Sequence, residues 1–359
     1  MNRPLVAEEL HRPQFKRDLQ LPPGNSFVRL LVAQVIAQVT RTPLAHVIER
    51  HWPSDQIVMR AASAPAMTSV TGWAAELARK VVADAIEALG PASAGAQLLK
   101  QSLVLSFDGA GSISVPGFGV DPGTRTGAFV AEGQPIPVGQ LNVAPTQLDP
   151  HKLAAIAVLT REMVESSNVE ALIGDALIVA AGRVLDEVLF DANPGDAARP
   201  PGLRYGISAT TPSNNADASE AVLEDFAALI NELAPVAGNG PYVFVAAPGR
   251  AALMAARVPN QIKNLIVLGS SAVVNDVLAI APAALVAAFS PNPETETSKA
   301  ATLVMEDTAP GAAGTMGPER SVWQTDSIAL KMRWPVSWAL RDPRGFAWMT
   351  PAWKAPTPP

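Results

Sequence analysis

The longest helical pattern of hydrophobic positions in the chain lies between Thr160 and Pro194. Ser167 is placed to cap a helix there, and Glu170, three residues later, completes a capping box. Apolar residues then recur at helical spacing, at Val169, Leu172, Ile173, Ala176, Leu177, Ala180, Val184 and Val188. The polar residues that fall off this stripe are Glu170, Arg183, Asp186, Glu187 and Asp191. The pattern predicts a helix over 168–191, about 36 Å long, which can support elements from both sides of it in sequence.

Upstream of this helix the hydrophobic pattern is weaker. Short helical patterns follow Ser26 and Pro43, between stretches rich in proline and mixed charge. They predict an N-terminal arm, residues 1–70, of short helices without a core of its own. A clearer helix is predicted over 73–89, and the following Gly90-Pro91 ends it.

Strand-like alternation replaces the helical spacing in 112–148. It occurs at 112–115, at 128–131 and, less regularly, at 138–143, which predicts a long β-hairpin. The turn-rich tip of this hairpin consists of Glu132, Gly133, Gln134, Pro135, Ile136 and Pro137. The hairpin has few large apolar residues, so we expect it to lie on another surface rather than to form its own core.

An alternation of helices and short strands follows the central helix. A helix capped by Ser219 and ended at Pro235 is predicted first, then a buried strand over 242–245 and a helix opened by Pro248. Short strands are predicted over 265–268, 277–280 and 285–289, so that 219–310 makes one compact subdomain. In the last segment Ile328, Leu330, Met332 and Trp334 share one face of a long strand, and a final strand covers 346–349.

The composition excludes several classes of function. There is no cysteine, which removes disulfides, thiolate zinc sites and cysteine nucleophiles. The net charge of −6 argues against a general nucleic-acid binder. The most apolar run, 273–289, is interrupted by Asn275, Asp276 and Pro282, so no membrane span is predicted. The N-terminus, with Glu8, Glu9 and Asp18, does not resemble a signal peptide.

A search for catalytic or ligand-binding patterns finds none that is specific. The four histidines, His11, His46, His51 and His151, do not form a metal-binding pattern. The nearest approach to a nucleophile elbow, Gly269-Ser270-Ser271-Ala272, is interpreted as a turn. Asp186 and Glu187 are adjacent on the predicted helix and therefore point in different directions. We predict no catalytic, cofactor-binding or metal-binding residues; the alternative of a hydrolase built on 219–310 has no nucleophile–base pair to support it.

Three parts of the chain are larger than an isolated subunit needs. They are an arm without a core, a hairpin without a second layer, and a helix longer than one subdomain requires. Such parts become stable when they bury area on neighbouring copies of the chain. The pattern therefore favours a self-assembling protein over an enzyme.

Several short motifs follow one another along the chain. They are Ala128-Phe129-Val130-Ala131-Glu132-Gly133, Leu148-Asp149-Pro150-His151-Lys152-Leu153, the run from Leu159 to Ser167, Pro201-Gly202-Leu203, Val245-Ala246-Ala247-Pro248-Gly249-Arg250, and Asp326-Ser327-Ile328-Ala329-Leu330-Lys331. In this order they resemble the tailed-phage major capsid proteins of the Hong Kong 97-like fold. The likeness covers roughly residues 70–350. Each motif is loose by itself, and the specificity comes from their order and spacing.

The resemblance implies an α+β capsid fold with an N-terminal arm, an extended β-hairpin loop, a peripheral domain with a long spine helix, and an axial domain. The corresponding ranges are 1–70 for the arm, 71–111 for the first part of the peripheral domain, 112–148 for the extended loop, 149–218 for the peripheral domain with the spine helix, 219–310 for the axial domain, and 311–359 for the return to the peripheral domain and the tail. The loop tip, Glu132 to Pro137, would be an assembly interface.

The implied function is that of a major capsid protein, a structural subunit that self-assembles into an icosahedral shell around double-stranded DNA. Its partners would be further copies of itself in hexamers and pentamers, portal, scaffolding and head-maturation proteins, and DNA bound without sequence specificity. It would be located in the virion after assembly in the bacterial cytoplasm, or be encoded by a prophage. The alternative is an encapsulin, a bacterial compartment shell of the same fold that encloses an enzyme.

Two features depart from parts of this family. Some members cross-link their shells through a lysine in the extended loop, but residues 108–150 contain no lysine. Some carry a long charged scaffolding segment at the N-terminus, which 1–70 does not resemble. We therefore expect no lysine cross-link, and scaffolding, where used, from a separate protein.

Overall fold

The computed structural model describes residues 26–53, 55, 82–107, 111–117, 129, 130, 132, 145–160, 169–257, 264–290, 294–304 and 319–353. The helices are α1 (Ser26–Thr40), α2 (Leu44–His51), α3 (82–89), α4 (Ala94–Lys100), α5 (Val169–Leu189), α6 (Ala218–Ala237) and α7 (Pro248–Arg257). The strands are β1 (Leu103–Ser106), β2 (Ile113–Pro116), β3 (Pro145–Leu148), β4 (His151–Thr160), β5 (Tyr242–Ala246), β6 (Leu265–Gly269), β7 (Val277–Ile280), β8 (Leu285–Phe289), β9 (Glu294–Ser298), β10 (Thr302–Val304), β11 (Glu319–Ser321), β12 (Ser327–Leu340) and β13 (Phe346–Met349).

The larger sheet is organised around β12, which is 14 residues long. Its strand order is β1-β8-β12-β4, and β9 also pairs with β12, on the residues that β8 leaves free. The predicted alternation is confirmed, because Leu330, Met332 and Trp334 are buried in the main core. Arg333, on the opposite face, lies 2.7 Å from Glu294 of β9. Where β9 pairs with β12, the sheet therefore has an apolar face toward the main core and an opposite face that carries ion pairs.

The smaller sheet has the order β13-β7-β5-β6 and is covered on one face by α6 and α7. Every residue of β5 and β7 is buried, as expected for strands that read as continuous apolar runs. One face of these strands joins the main core through Val243, Val245 and Ile280. The other face, with Phe244 and Ala279, packs with α6 and α7 in a second cluster.

Two connections carry the chain from one sheet to the other. The 3₁₀ turn Pro282–Ala284 joins β7 to β8, and the 3₁₀ turn Pro343–Gly345 joins β12 to β13. The range 219–310, expected to be one subdomain, thus supplies β8 and β9 to the larger sheet, while β13 from the C-terminal segment completes the smaller one. The reason is the strand pairing. β7 pairs with β13, and β8 pairs with β12, so that these strands form one two-stranded ribbon that continues through both sheets.

The helices of the predicted arm, which we expected to have no core of their own, pack into the main core of the protein. Leu30, Val32, Val47, Ile48 and Trp52 are buried in the cluster that also contains Leu330 and Trp334. α2 has a strongly one-sided pattern, in which the buried Val47 and Ile48 lie four and three positions before its last residue, His51. An amphipathic face of this kind is stabilised by burial against the body of the protein.

The central helix is observed as α5, which we call the spine helix, and it is 21 residues long, or about 32 Å. Its buried face is rotated from the predicted stripe: Ala181, Leu185 and Leu189 are buried, whereas Val184 and Val188 are half-buried. The side chain of Leu177 lies outside the described residues. Asp186, expected off the stripe, is buried, because hydrogen-bond donors from two other segments converge on it.

Smaller differences occur at helix ends and in the predicted hairpin. α6 is capped by Asp217 rather than Ser219, since the Asp217 side chain accepts a hydrogen bond from the Ser219 backbone N–H. The helix also continues past Pro235 to Ala237. Phe129 and Val130, expected in a strand, have no strand pairing, and the predicted strand over 138–143 lies outside the described residues.

Candidate functional site

The base of the predicted hairpin is a short antiparallel ladder between β2 and β3. Ile113 is opposite Leu148, and Pro116 is opposite Pro145. Val115 and Leu148 are buried together with Phe107, Val286 and Ala288 in a small cluster at the edge of the larger sheet. The Arg341 side chain donates a 3.0 Å hydrogen bond from Nε to the carbonyl oxygen of Pro116. The two ends of segment 117–144 are therefore fixed to the body next to each other.

Within this segment the structure describes two apolar residues that are not covered. The relative exposure of Phe129 is 110%, and that of Val130 is 36%. Glu132, the first residue of the predicted tip, lies in a turn and is exposed. Gly133, Gln134, Pro135, Ile136 and Pro137 lie outside the described residues. An exposed phenylalanine forgoes about 1.5–3 kcal/mol of hydrophobic stabilisation, which a second surface can supply.

The exposure of Phe129 was not part of the sequence prediction. The alternation at 128–131 indicated a strand, in which a phenylalanine would have packed on a neighbouring strand. The related signal in the sequence is that the predicted hairpin has few large apolar residues with which Phe129 could pack.

The Pro201-Gly202-Leu203 loop closes the C-terminal end of the spine helix. The backbone N–H of Leu203 donates to the carbonyl oxygen of Leu189 (2.9 Å), and that of Arg204 donates to Asp191 (3.2 Å). A Cβ on Gly202 would lie 2.0 Å from Oδ1 and 2.2 Å from the carbonyl oxygen of Asp191. Only glycine fits this approach, which explains why the loop has the sequence Pro-Gly-Leu at this spacing.

Ser270 lies in the segment that came nearest to a nucleophile elbow in the sequence, and its hydroxyl is used in a structural hydrogen bond. It follows β6, is buried, and donates a 2.6 Å hydrogen bond to Oδ2 of Asp186. The Ser93 hydroxyl and the backbone N–H of Gly95 donate to Oδ1 of the same carboxylate, at 2.5 and 2.8 Å. No histidine or lysine contacts Ser270 in the hydrogen bonds of the described residues. Glu187, next to Asp186, points to solvent and pairs with Arg183 at 2.9 Å.

The described histidines are distributed over separate surfaces. His151 lies at the start of β4, with Nε2 3.1 Å from the carbonyl oxygen of Asp196. His51 ends α2 against Trp52, and burial, with a smaller effect of Arg50, lowers the pKa of its imidazole. Among the residues that the structure describes, no group of three or more His, Cys, Asp or Glu side chains could hold a metal ion. In the same set, no helix has the length and apolar character needed to cross a bilayer.

Comparison with known proteins gives results at the level of structure alone. A scan of protein-family models matches none to this chain. A search of curated proteins also returns no match.

Solved structures do resemble this chain. A chain of Microbacterium phage Oxtober96 is 15% identical and covers 72% of this chain and 91% of its own, with a TM-score of 0.46. The virus-like particle from Pyrococcus furiosus is 15% identical over 76% of this chain and 98% of its own, with a TM-score of 0.45. The capsid of an empty GTA particle is 12% identical over 72% of this chain and 90% of its own, with a TM-score of 0.43.

Proposed function

We propose that this protein is a major capsid protein, which self-assembles into an icosahedral shell that encloses double-stranded DNA. The observation that carries the proposal is the exposed Phe129, on a segment whose two ends are fixed side by side to the body by the β2–β3 ladder. Such a segment presents apolar surface that the described body does not cover. A neighbouring copy of the chain is the partner that a shell protein offers.

The order of elements supports the same proposal. The β2–β3 ladder leads into β4, which is followed by the spine helix and the Pro-Gly-Leu loop that closes its end. This is the order of the motifs that resemble the capsid family. Among the described residues, the buried Ser270 and Asp186 have structural hydrogen bonds: Ser270 donates to Asp186, and Asp186 also accepts from the backbone N–H of Gly95 at the start of α4.

The proposal assigns the assembly contact to Phe129 and to the tip, Glu132 to Pro137. Phe129→Asp should leave the subunit folded, because the side chain has no described intramolecular packing, and should abolish shells. Phe129→Leu is the matched control: it keeps a large apolar side chain at the same position, and assembly should persist. Negative-stain microscopy and light scattering measure assembly, and thermal unfolding of dissociated subunits shows whether each variant is folded.

Deletion of 132–137 gives the second arm of the test. The deleted subunit should keep nearly the same thermal transition and fail to form shells. If it unfolds instead, the tip belongs to the core and the assignment is wrong. A wild-type chain that remains a 37.5 kDa monomer across salt and protein concentration would overturn the proposed function itself.

The contents of the shell separate a capsid from an encapsulin. Particles isolated from the native host should contain nuclease-protected double-stranded DNA. A protein cargo without DNA would instead assign the chain to a compartment shell.

A further inference from the structure

The two sheets are joined at a bend in a two-stranded ribbon. On one side of the bend Leu340 pairs with Leu285 in the larger sheet, and on the other Phe346 pairs with Ile280 in the smaller sheet. Between them, the turns Pro282–Ala284 and Pro343–Gly345 lie side by side. The backbone N–H of Arg341 donates to the carbonyl oxygen of Ala284 at 2.7 Å. We call these two turns the corner.

The two turns of the corner approach each other through small residues. A Cβ on Gly345 would lie 2.0 Å from Cβ of Ala284, so the two turns approach as closely as glycine permits. Each turn begins with proline, which has no N–H to extend a strand ladder. The ladder is therefore interrupted at the corner, and the ribbon bends there.

The loop after the spine helix crosses this corner. Trp338, on β12 before the corner, donates from Nε1 to the carbonyl oxygen of Pro201 at 2.9 Å. Trp348, on β13 beyond the corner, donates from Nε1 to the carbonyl oxygen of Ile207 at 2.8 Å. The backbone N–H of Thr210 in turn donates to the carbonyl oxygen of Trp348 at 2.8 Å. Residues 201–210 are thus attached to both sheets, and we call them the brace.

Arg204 fixes the middle of the brace to the smaller sheet. Its Nη1 lies 3.0 Å from Oδ2 of Asp276, in the turn that precedes β7. Its guanidinium carbon is 4.2 Å from the ring centroid of Trp348, within the range of a cation–π contact. Its backbone N–H donates to Asp191 at the end of the spine helix. Arg204 therefore joins the spine helix to both strands that enter the corner from the smaller sheet.

We propose that the brace sets the bend angle between the two sheets, and that Arg204 with Trp348 is the contact that holds it. With the brace attached, the ribbon has one bend angle. When its attachment to the smaller sheet is lost, the corner takes a range of angles. This is a conformational device of the single subunit, and it does not depend on the function proposed above.

Distances between the sheets test the proposal directly. The chain has no cysteine, so Lys152→Cys on β4 and Glu232→Cys on α6, both exposed positions, can carry one pair of spin labels. Pulsed electron–electron double resonance (DEER) measures the distance between the two labels in dissociated subunits. With the brace intact, it should give a single narrow distance distribution. In Arg204→Ala/Trp348→Phe the distribution should broaden and shift by about 1–2 Å or more, the scale of sliding between packed elements.

A matched control removes the same kind of bond away from the corner. Trp353 donates from Nε1 to Asp225 at 2.8 Å, and both residues lie on the side of the smaller sheet. Trp353→Phe should therefore leave the distribution narrow. Hydrogen exchange at the Thr210 amide verifies, in each variant, whether the brace has been released.

If the double variant does not fold, Trp338→Phe replaces it as the test variant. It removes only the hydrogen bond between the brace and the larger sheet, and the distance distribution should again broaden. A narrow, unshifted distribution in a folded variant whose Thr210 amide exchanges freely would overturn the proposal. Broadening in Trp353→Phe equal to that in the brace variants would also overturn it, since the effect would then be general loosening.

Discussion

Ser270 donates a 2.6 Å hydrogen bond to Asp186, a residue 84 positions earlier in the chain. The same carboxylate accepts from the Ser93 hydroxyl and from the backbone N–H groups of Ala94 and Gly95 at the start of α4. The spine helix is thereby tied to α4 and to the end of β6. A buried carboxylate is tolerated here because both of its oxygens are satisfied.

Asp186→Asn should be strongly destabilising although it preserves shape. One oxygen becomes an NH₂ group that faces hydrogen-bond donors, and at least one backbone N–H or hydroxyl loses its acceptor. The expected loss in the free energy of unfolding is about 2 kcal/mol or more. Denaturant unfolding of dissociated subunits measures it. Glu187→Gln, one residue away and solvent-facing, should stay within about 0.5 kcal/mol of wild type; equal losses would mean that Asp186 is not the acceptor described.

The observed face of the spine helix predicts unequal costs at neighbouring positions. Leu185 is 1% exposed in the main core, so Leu185→Ala should lower the free energy of unfolding by about 2–5 kcal/mol. Val184 is half-buried, and Val184→Ala should cost clearly less. Chemical denaturation of both variants checks the difference. If Val184→Ala lowered the free energy of unfolding more than Leu185→Ala, the buried face of the helix would be the one expected from the sequence.

Gly202 is predicted to be intolerant of any side chain. Gly202→Ala places a Cβ 2.0–2.2 Å from two oxygen atoms of Asp191, and relief requires the loop to leave the helix end. We expect a loss of at least about 2 kcal/mol in the free energy of unfolding. Gly249→Ala is the control, because its Cβ meets no atom within 4 Å and alanine favours helix α7. A calorimetric transition for Gly202→Ala at the wild-type temperature would contradict the close approach.

Acid stability should depend on Asp342, which caps the turn at the corner. Burial alone would raise the pKa of this carboxyl, but hydrogen bonds from the side chain and backbone of Arg344, together with its charge, lower the pKa below its usual value. The folded state therefore binds this proton more weakly than the unfolded state. Its stabilisation is present above the unfolded pKa of about 3.9 and is lost as the pH falls through the lowered folded pKa.

Asp342→Asn removes this titration. The difference in unfolding free energy between wild type and Asp342→Asn should be largest near pH 6 and should shrink as the pH approaches 3. Urea unfolding of both proteins at a series of pH values measures it. A wild-type advantage that grows toward pH 3 would reverse the sign of the argument.

The sequence by itself determined the elements whose periodicity is local. Strict alternation placed Leu330, Met332 and Trp334 on one face of β12, and continuous apolar runs identified β5 and β7 as buried strands. The long helix was predicted because more than five turns of apolar spacing leave few other conformations. The order of motifs resembles that of capsid proteins, and it is one basis of the function proposed above.

Only the tertiary structure decided which side of each element is buried and where the chain crosses between sheets. Leu185 rather than Val184 faces the core, and Asp186 is buried, because donors from Ser93 and Ser270 meet it there. Those donors lie 93 and 84 positions away in sequence, beyond the reach of local spacing. The exposure of Phe129 and the brace at Arg204 have the same origin, since each depends on which distant surface the fold does or does not bring to the residue.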